Sequence, residues 1–425
     1  MALPDAAAGR RAAMAQPPFS AEADVSPRWR VTLWAMVSVQ LIMSLSFTIL
    51  SPIMPLFLPQ VGVHGMVELD LWSGGLAAVT SFIAAFAAPV WGRMSDKYGR
   101  KPMVLRASAC IGVLTILMGL AQSPWHLLGL RVVMGALAGF STAAVVLVTT
   151  QVPRGRLGSS LGWLSTGQLT GSLIGPVIGG VLADVTGSYR QPFFVAGSIS
   201  LLAFVVCLFL VPERFTAPTE TKHRPSMLAG LRILTRAPAM AALVMVLLLS
   251  QFGVQAIFPI ITLFIQEMIG DRPEIATLSG LAFSASGLAG VVAVPLLGRM
   301  SDRIGERRVL LLAIAGAALT TAPQAFTDSY WVFVAERFGV GMFVGAIVPM
   351  TNTLVAKMTA PDERGYTFGL TQSAYFLGNS LGPLTGGAVG AAFGLHWVFL
   401  VTAMLLASAW AAVYAAVPPV AVLSE

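Results

Sequence analysis

Charged residues are scarce in this chain. Only 11% of its 425 residues are Asp, Glu, Lys or Arg, whereas 56% are hydrophobic and the mean hydropathy is +0.79. An ordinary soluble domain carries about 25% charged residues and about 45–50% apolar residues. The composition therefore excludes an ordinary soluble domain and predicts an integral membrane protein.

Cysteine and histidine are also rare. The two cysteines, Cys110 and Cys207, each lie inside an apolar run, and the four histidines are scattered. This spacing supports neither a disulfide framework nor a metal site, and no Walker loop for nucleotide phosphates is present. We therefore expect no metal, no cofactor and no enzymatic activity, and an ATP-driven pump is disfavoured.

The formal net charge of +7 does not indicate nucleic-acid binding. The cations are spread over short loops instead of forming one basic surface, which is the pattern of cytoplasmic loops in membrane proteins. If both termini are cytoplasmic, only Arg190 and Arg272 fall in loops on the outer side. The expected partners are lipid and a small molecule, and not nucleic acid.

Twelve apolar runs approach the roughly 20 residues that a membrane-spanning helix needs. Six precede a polar segment and six follow it, at about 31–58, 73–91, 103–121, 125–149, 158–183, 192–211, 239–266, 276–297, 308–325, 330–353, 366–392 and 396–416. The predicted organisation is a disordered cytoplasmic tail, a six-helix bundle, a cytoplasmic linker, a second six-helix bundle and a short cytoplasmic tail, over residues 1–29, 30–211, 212–238, 239–417 and 418–425.

The two halves of the chain repeat one another. GRMSDKYGRKPMVL at 92–105 returns as GRMSDRIGERRVL from Gly298, which is 206 residues later. Offsets of 206 and 207 also relate Arg131 to Arg337 and Pro176 to Pro383. A parallel repeat of apolar spans is typical of transporters whose halves are related by an axis along the membrane normal.

The first copy of the loop resembles a known signature. Gly92, Asp96, Gly99, Arg100 and Lys101 match the loop between the second and third helices of the major facilitator superfamily, and the chain is similar to its drug:proton antiporters among bacterial multidrug transporters. The resemblance implies an all-α fold of twelve transmembrane helices in two pseudo-symmetric six-helix bundles. It also implies a bacterial inner-membrane location, a proton gradient as the energy source and a monomer.

The signature loop is the expected conformational latch. A carboxylate at Asp96 is placed to face the positive N-terminus of another helix, and the resemblance implies that this is the eleventh helix, with Arg100 and Lys101 bracing the loop. A merely basic loop that sets membrane orientation is the alternative. In the second copy Asp302 repeats Asp96, but Glu306 replaces Arg100, which argues against an equal latch there.

The fifth predicted helix carries a glycine face. A spacing of four places its glycines on one side of the helix, where small residues allow close backbone contact. With their neighbours these residues resemble the antiporter motif of the family, which implies export: Gly167, Gly171, Gly175, Pro176, Gly179 and Gly180. Simple small-residue packing is the alternative.

Three charged residues within predicted spans are candidates for proton coupling. Arg131 matches the fourth-helix arginine that the family associates with proton coupling, and Arg337 repeats it. Glu336 is the only acid inside a predicted span. Intramembrane ionisable groups are costly and usually functional, although a structural ion pair or a side chain reaching the membrane surface is the alternative.

The predicted substrate cavity combines uncharged hydrogen-bonding groups with soft apolar surface, which suits amphipathic compounds. The candidate lining residues are Gln40, Phe47, Gln251, Phe252, Gln255, Gln372, Tyr375 and Asn379. The sequence thus predicts a secondary active transporter that exports hydrophobic or amphipathic drugs against proton entry by alternating access. The alternatives are a proton-coupled uptake carrier for a small organic solute and a non-transporting membrane receptor.

Overall fold

The computed structural model describes residues 29–137, 139–153, 156–212, 238–359 and 364–418. Within these ranges the regular structure is helical and contains no strand. The predicted all-α fold is therefore confirmed. The predicted tail up to residue 28, most of the linker, at 213–237, and the tail from 419 lie outside the described residues.

Among the described residues the first half contains eight helices. They are α1 (Trp29–Ile49), α2 (Ile53–Phe57), α3 (Met66–Tyr98), α4 (Lys101–Gly119), α5 (Pro124–Ala136), α6 (Phe140–Gln151), α7 (Leu157–Thr186) and α8 (Gln191–Leu210), with a 3-10 turn at Leu58–Val61 after α2. The second half follows the same plan. It contains α9 (Pro238–Ile257), α10 (Ile261–Ile269), α11 (Ile275–Ile304), α12 (Glu306–Thr321), α13 (Tyr330–Met358), α14 (Arg364–Phe393) and α15 (Leu395–Ala416), with 3-10 turns at Phe258–Ile260 and Ala322–Phe326.

Ten helical segments in the described part are long and apolar enough to cross a membrane. The predicted fourth span is not among the ten, because it is divided into α5 and α6 around Gly139, whose φ is 117°. The predicted eleventh span is also not among them, although α14 is a single helix of 30 residues. Helix α14 contains many glycines and polar residues, which lower its mean hydropathy below that of the ten segments.

The duplication seen in the sequence recurs in the packing. A Cβ added to Gly171 of α7 would meet Leu41 and Leu45 of α1, and a Cβ added to Gly378 of α14 would meet Leu248 and Phe252 of α9. Each residue of the second set lies 207 positions after its counterpart. The two halves therefore use the same helix register as well as the same order of helices.

Hydrophobic cores distinguish the two ends of the molecule. At the end opposite the described termini, one core includes residues from both halves, such as Ile49 and Phe193 from the first and Phe264 and Phe399 from the second. At the end where α1 begins and α15 ends, each half has a core of its own. We call these the closed end and the terminal end.

The two halves meet at the closed end along two equivalent helix contacts, α7 with α11 and α3 with α14, which we call the seam. A Cβ at Gly280 of α11 would meet the Pro176 carbonyl of α7, and a Cβ at Gly74 of α3 would meet the Pro383 carbonyl of α14. Gly180 and Gly387 make the neighbouring contacts, against α11 and α3 respectively. The seam is therefore a close approach of backbones that side chains would prevent.

Glycines on the same four helices near the terminal end have no such contacts. An added Cβ would meet no described atom within 4 Å at Gly92, Gly158, Gly162, Gly298 and Gly369. Together with the separate cores, this shows the two halves apart at the terminal end. The structure is one in which the space between the halves opens toward the terminal end.

A pair of alanine substitutions in α5 tests how closely α5 packs against α3 within the first half. A Cβ at Gly135 would collide with the backbone of Thr80, whereas Gly129 faces open space. We expect Gly135→Ala to lower the free energy of unfolding by about 1–3 kcal/mol through overpacking. Gly129→Ala should be neutral or stabilising by up to about 1 kcal/mol, because alanine favours the helix. Thermal unfolding of the purified proteins measures both, and equal melting temperatures would contradict the contact.

Candidate functional site

Glycine ends the helix before each copy of the repeated loop. Gly99 follows α3 with φ 97° and ψ 168°, and Gly305 follows α11 with φ 88° and ψ 148°. This region of backbone conformation is essentially restricted to glycine. The glycine in the signature is therefore required by the turn that directs the chain from one span into the next.

Basic residues of the two loops hold the last helix of their own half. The Lys101 Nζ donates a hydrogen bond to the Leu208 carbonyl at 2.8 Å, near the end of α8. Arg307 donates to the Val417 carbonyl at 2.6 Å and to the Tyr414 carbonyl at 3.0 Å, at the end of α15. A cation is favourable at a helix C-terminus. The predicted bracing role of Lys101 thus has a described contact, and Arg307 repeats it 206 positions later.

The predicted latch acids are placed at the terminal end. Asp96 lies in the last turn of α3, but its side chain is not among those that the structure describes. Asp302 is exposed near the end of α11 and makes no hydrogen bond or ion pair with the described residues. The halves are apart at this end, and the latch stays a prediction.

Glu306, which replaces Arg100 in the second copy, has a partner of its own. Its carboxylate lies 2.5 Å from the Lys357 Nζ near the end of α13. The ion pair joins α12 to α13, so the second loop is stabilised within its half by a different contact.

The glycine face of the fifth span packs against α1, as its spacing indicates. Added Cβ atoms would meet Val37 at Gly167, Leu41 at Gly171, Thr48 at Gly175 and Ile49 at Gly179. Gly180 faces another side of the helix and meets Ala276 and Thr277 of α11. Helix α7 is therefore held between α1 of its own half and α11 of the other half.

Hydroxyl groups add hydrogen bonds to this glycine contact. Ser44 Oγ donates to the Gln168 carbonyl at 2.7 Å, and Thr48 Oγ1 lies 3.2 Å from the Gly171 carbonyl. The sequence analysis did not single out these two residues. Their spacing of four on the first span, opposite a glycine face, was the signal that could have identified them.

The three candidate proton-coupling residues are not joined by described contacts. Glu336 accepts a hydrogen bond from Thr327 Oγ1 at 2.8 Å, and Thr327 precedes α13 at the closed end. Arg337 is only 8% exposed. The Nε atoms of Arg131 and Arg337 are buried and have no hydrogen-bond partner within the described part of the chain. Glu336 thus forms no ion pair with either arginine here.

The candidate cavity residues differ in exposure. Gln40 is 3% exposed and its Oε1 has no described partner, whereas Phe47 is 53% exposed. Gln251 and Gln255 lie at the contact between α9 and the glycines of α14, with Phe252 between them. On α14, Gln372 is exposed, Tyr375 and Asn379 are half-buried, and the Tyr375 ring contacts the Phe376 ring. The structure therefore places the α9 candidates against the glycines of α14, the helix that carries the other three, while Gln40 is enclosed.

Comparisons with known proteins agree with this architecture. The family model described as Major Facilitator Superfamily matches residues 36–276 and 249–423. The chain is 36% identical over 380 residues to "Multidrug resistance protein MdtG" of Citrobacter koseri, covering 89% of this chain and 93% of that protein. It is also 36% identical to proteins of the same name from Escherichia fergusonii, with 85% and 88% covered, and from Serratia proteamaculans, with 85% and 87% covered.

Two solved structures share the fold at low sequence identity. The crystal structure of nucleoside transporter NupG matches with a TM-score of 0.72 at 15% identity, covering 90% of this chain and all (100%) of that one. A bacterial homolog of the human lysosomal transporter Spinster, in an inward-facing and occupied conformation, matches with a TM-score of 0.71 at 16% identity, covering 92% and 97%. At these identities the likeness shows the fold alone.

Two adjacent arginines provide a test of the loop contacts. Arg307→Ala removes the hydrogen bonds to the end of α15, so we expect the free energy of unfolding to fall by about 1–2 kcal/mol. Arg308→Ala removes an exposed side chain of the same charge and should change it by less than about 0.5 kcal/mol. Thermal unfolding in detergent compares the two variants. A loss of the same size in both would show that only the charge of the loop matters.

Proposed function

The chain belongs to the major facilitator superfamily, and we propose that it exports hydrophobic or amphipathic drugs in exchange for protons. The observation that carries the proposal is the 36% identity, over 84–89% of the chain, to proteins named for multidrug resistance. The repeated halves and the space between them, which opens toward the terminal end, are the arrangement of a secondary transporter. The glycine face of α7 supports export, because it resembles the antiporter motif and packs tightly.

Alternating access is the proposed mechanism. The described state, joined at the seam and open toward the terminal end, is one of the two states that the mechanism needs. In the other state the seam parts and the terminal end closes. The proposed topology has twelve transmembrane spans in a bacterial inner membrane with cytoplasmic termini, so the terminal end faces the cytoplasm, and the proposed working unit is the monomer.

Closure of the terminal end is assigned to the signature loop. In the proposed closed state the Asp96 carboxylate faces the N-terminus of α14, where the helix dipole favours a negative charge. Lys101 holds the loop in position through its bond to Leu208. Asp302 takes a smaller part, because the second copy of the loop is stabilised by Glu306 and Lys357.

Proton exchange is assigned to the charged groups of the spans. Arg131 is half-buried and Arg337 is buried, and each has a buried Nε without a hydrogen-bond partner in the described chain, so each is available to a carboxylate or a substrate group in another state. Glu336 is a proposed carrier that must leave Thr327 to reach either of them. The proton gradient is the proposed energy source, and no cofactor is required.

A transport assay tests the proposed function. The full-length chain is expressed in an efflux-deficient bacterium, and susceptibility to a panel of amphipathic drugs is measured together with accumulation of a fluorescent drug. We expect lower accumulation than in the empty-vector control, and an uncoupler should abolish the difference. Uncoupler-sensitive accumulation above the control would indicate uptake. The same compounds are also tested for proton-driven uptake into inverted membrane vesicles, and equal uptake with and without the protein for every compound would contradict transport of this class.

The two latch acids give a matched pair of variants. Asp96→Asn should reduce drug export strongly with normal membrane insertion, because it removes a charge–dipole contact worth about 0.3–1 kcal/mol when exposed and up to about 2 kcal/mol when partly buried. Asp302→Asn should reduce export less. Initial export rates normalised to protein in the membrane provide the measurement. Equal rates in both variants and the unmodified protein would remove the latch from the mechanism.

The glycine face gives a second pair. Gly175→Leu places a bulky side chain against Thr48 and Leu45 of α1. We expect export to fall at least tenfold, since the two helices can no longer approach closely. Gly129→Leu makes the same change where no described atom lies within 4 Å of an added Cβ, and it should keep export. Export by Gly175→Leu at the rate of Gly129→Leu would show that close approach of these helices is dispensable.

A further inference from the structure

Two acidic residues lie in the seam at the closed end, one in each of its equivalent contacts. Asp184 is near the end of α7 and Asp70 is near the start of α3. Position 70 corresponds to Ala276 in the repeat, and position 184 corresponds to Ala391. The seam glycines are repeated in both halves, but the two acids are not, so the two contacts of the seam differ at these positions.

Asp184 has a partner across the seam that favours a negative charge. Its Oδ2 accepts a hydrogen bond from the backbone N–H of Thr277 at 2.7 Å, in the first turn of α11. The first N–H groups of a helix are unpaired within the helix and form its positive end. The contact therefore joins the end of α7 to the start of α11 while the two halves are together.

Asp70 has the opposite environment. It is 6% exposed and lies against α14, where a Cβ added to Gly390 would be 3.2 Å from its Oδ2. Its own carbonyl packs against Gly387. The carboxylate makes no hydrogen bond or ion pair with any residue in the described ranges. A buried carboxylate without a partner is costly, whereas the protonated carboxyl is neutral.

The charged groups around Asp70 do not offset this cost. Glu267 of α10 is close enough to repel it, and Glu267 itself lies 3.9 Å from His396 Nε2 of α15. Helix α3 contributes Glu68, and α5 contributes His126 and Arg131, none of which forms a hydrogen bond or ion pair with Asp70 in the described structure. The part of α14 that faces it, and the segment 53–61, carry no titratable residue.

We propose that Asp70 binds a proton when the seam closes and releases it when the seam opens. In the closed seam the neutral carboxyl is favoured, because the charge would be buried beside Glu267. When the halves part, water reaches the group and the ionised form is favoured. The inference rests on the proposed alternating access, with the closed end facing the outer side. The proton is taken from that side and returned to it, so Asp70 makes closure depend on the outer pH and is not the carrier of the proton exchanged for drug.

The linkage between proton binding and seam closure determines the direction in which pH shifts the ratio of open to closed molecules. The state that binds the additional proton, here the closed seam, gains stability as the pH falls and loses it as the pH rises. A single group changes the ratio of open to closed molecules by at most about tenfold per pH unit. Asparagine at position 70 resembles the neutral carboxyl, so Asp70→Asn should hold the seam closed at every pH.

The test measures the opening of the closed end directly. Spin labels are attached at Leu120→Cys and Phe326→Cys, two exposed and equivalent positions at that end, in a full-length protein carrying Cys110→Ala and Cys207→Ala. Distances between the labels are recorded in lipid nanodiscs from about pH 5 to pH 8, a window that brackets the usual titration range of a buried carboxyl. The parent protein should shift from the shorter to the longer distance as the pH rises.

Two variants separate Asp70 from the other seam acid. Asp70→Asn should keep the shorter distance throughout and lose the pH response. Asp184→Asn removes the negative charge at the positive end of α11 and keeps an oxygen that can accept from Thr277. The contact is weakened, so the variant should favour the longer distance at every pH while retaining a response. A response in Asp70→Asn equal to that of the parent would overturn the proposal, and so would its loss in Asp184→Asn alone.

A third variant covers the case in which Asp70→Asn does not fold. Glu267→Gln removes the repelling charge, so ionised Asp70 becomes less costly and the midpoint of the distance change should move to lower pH. An unchanged midpoint would overturn the proposal.

Drug export is measured on the unlabelled parent in parallel. Absence of export would refute the proposed function without affecting the distances, whereas an unaltered pH response in the variants would refute only the role of Asp70.

Discussion

The close approach of backbones in the seam is the contact on which the described state depends. Gly74 and Gly280 each admit a proline carbonyl from a helix of the other half, and Gly387 and Gly180 complete the two contacts. In a membrane, helices associate through such packing and not through a hydrophobic driving force. The contact is close but contains little polar bonding. It therefore joins the halves without the large cost that separating buried ion pairs would carry.

The repeat explains why this contact occurs twice. Offsets of 206 and 207 residues relate glycines, prolines and their packing partners in both halves. The same helix contacts therefore occur in each half, and the seam contains two equivalent contacts. The differences are confined to particular side chains. Glu306 binds Lys357 where the first half has Arg100, and Asp184 caps α11 where the repeat has Ala391. These departures from symmetry allow the two halves to play different parts.

The sequence predicted most of the fold, because span length, loop charge and glycine spacing are local properties. It identified the face of α7 but not its partner α1, and it treated the fourth span as one helix although Gly139 divides it. It could not predict which end is closed, since that depends on contacts between halves. Nor could it place Glu336 beside Thr327, because helix rotation is fixed by tertiary packing.

Most of the charge-assisted contacts in the described part of the chain lie within the halves, and the bond from the Thr277 N–H to Asp184 is the exception across the seam. Lys101 holds α8, Arg307 holds α15, and Glu306 binds Lys357, each joining helices of the same half at the terminal end. The described hydrogen bonds across the seam are few, and two of them are single hydroxyls on backbone carbonyls. Because charge-assisted bonds are stronger than neutral ones, each half is held more firmly than the pair. We therefore expect each half to rotate as a unit against the other, with the contacts of the seam breaking before those within a half.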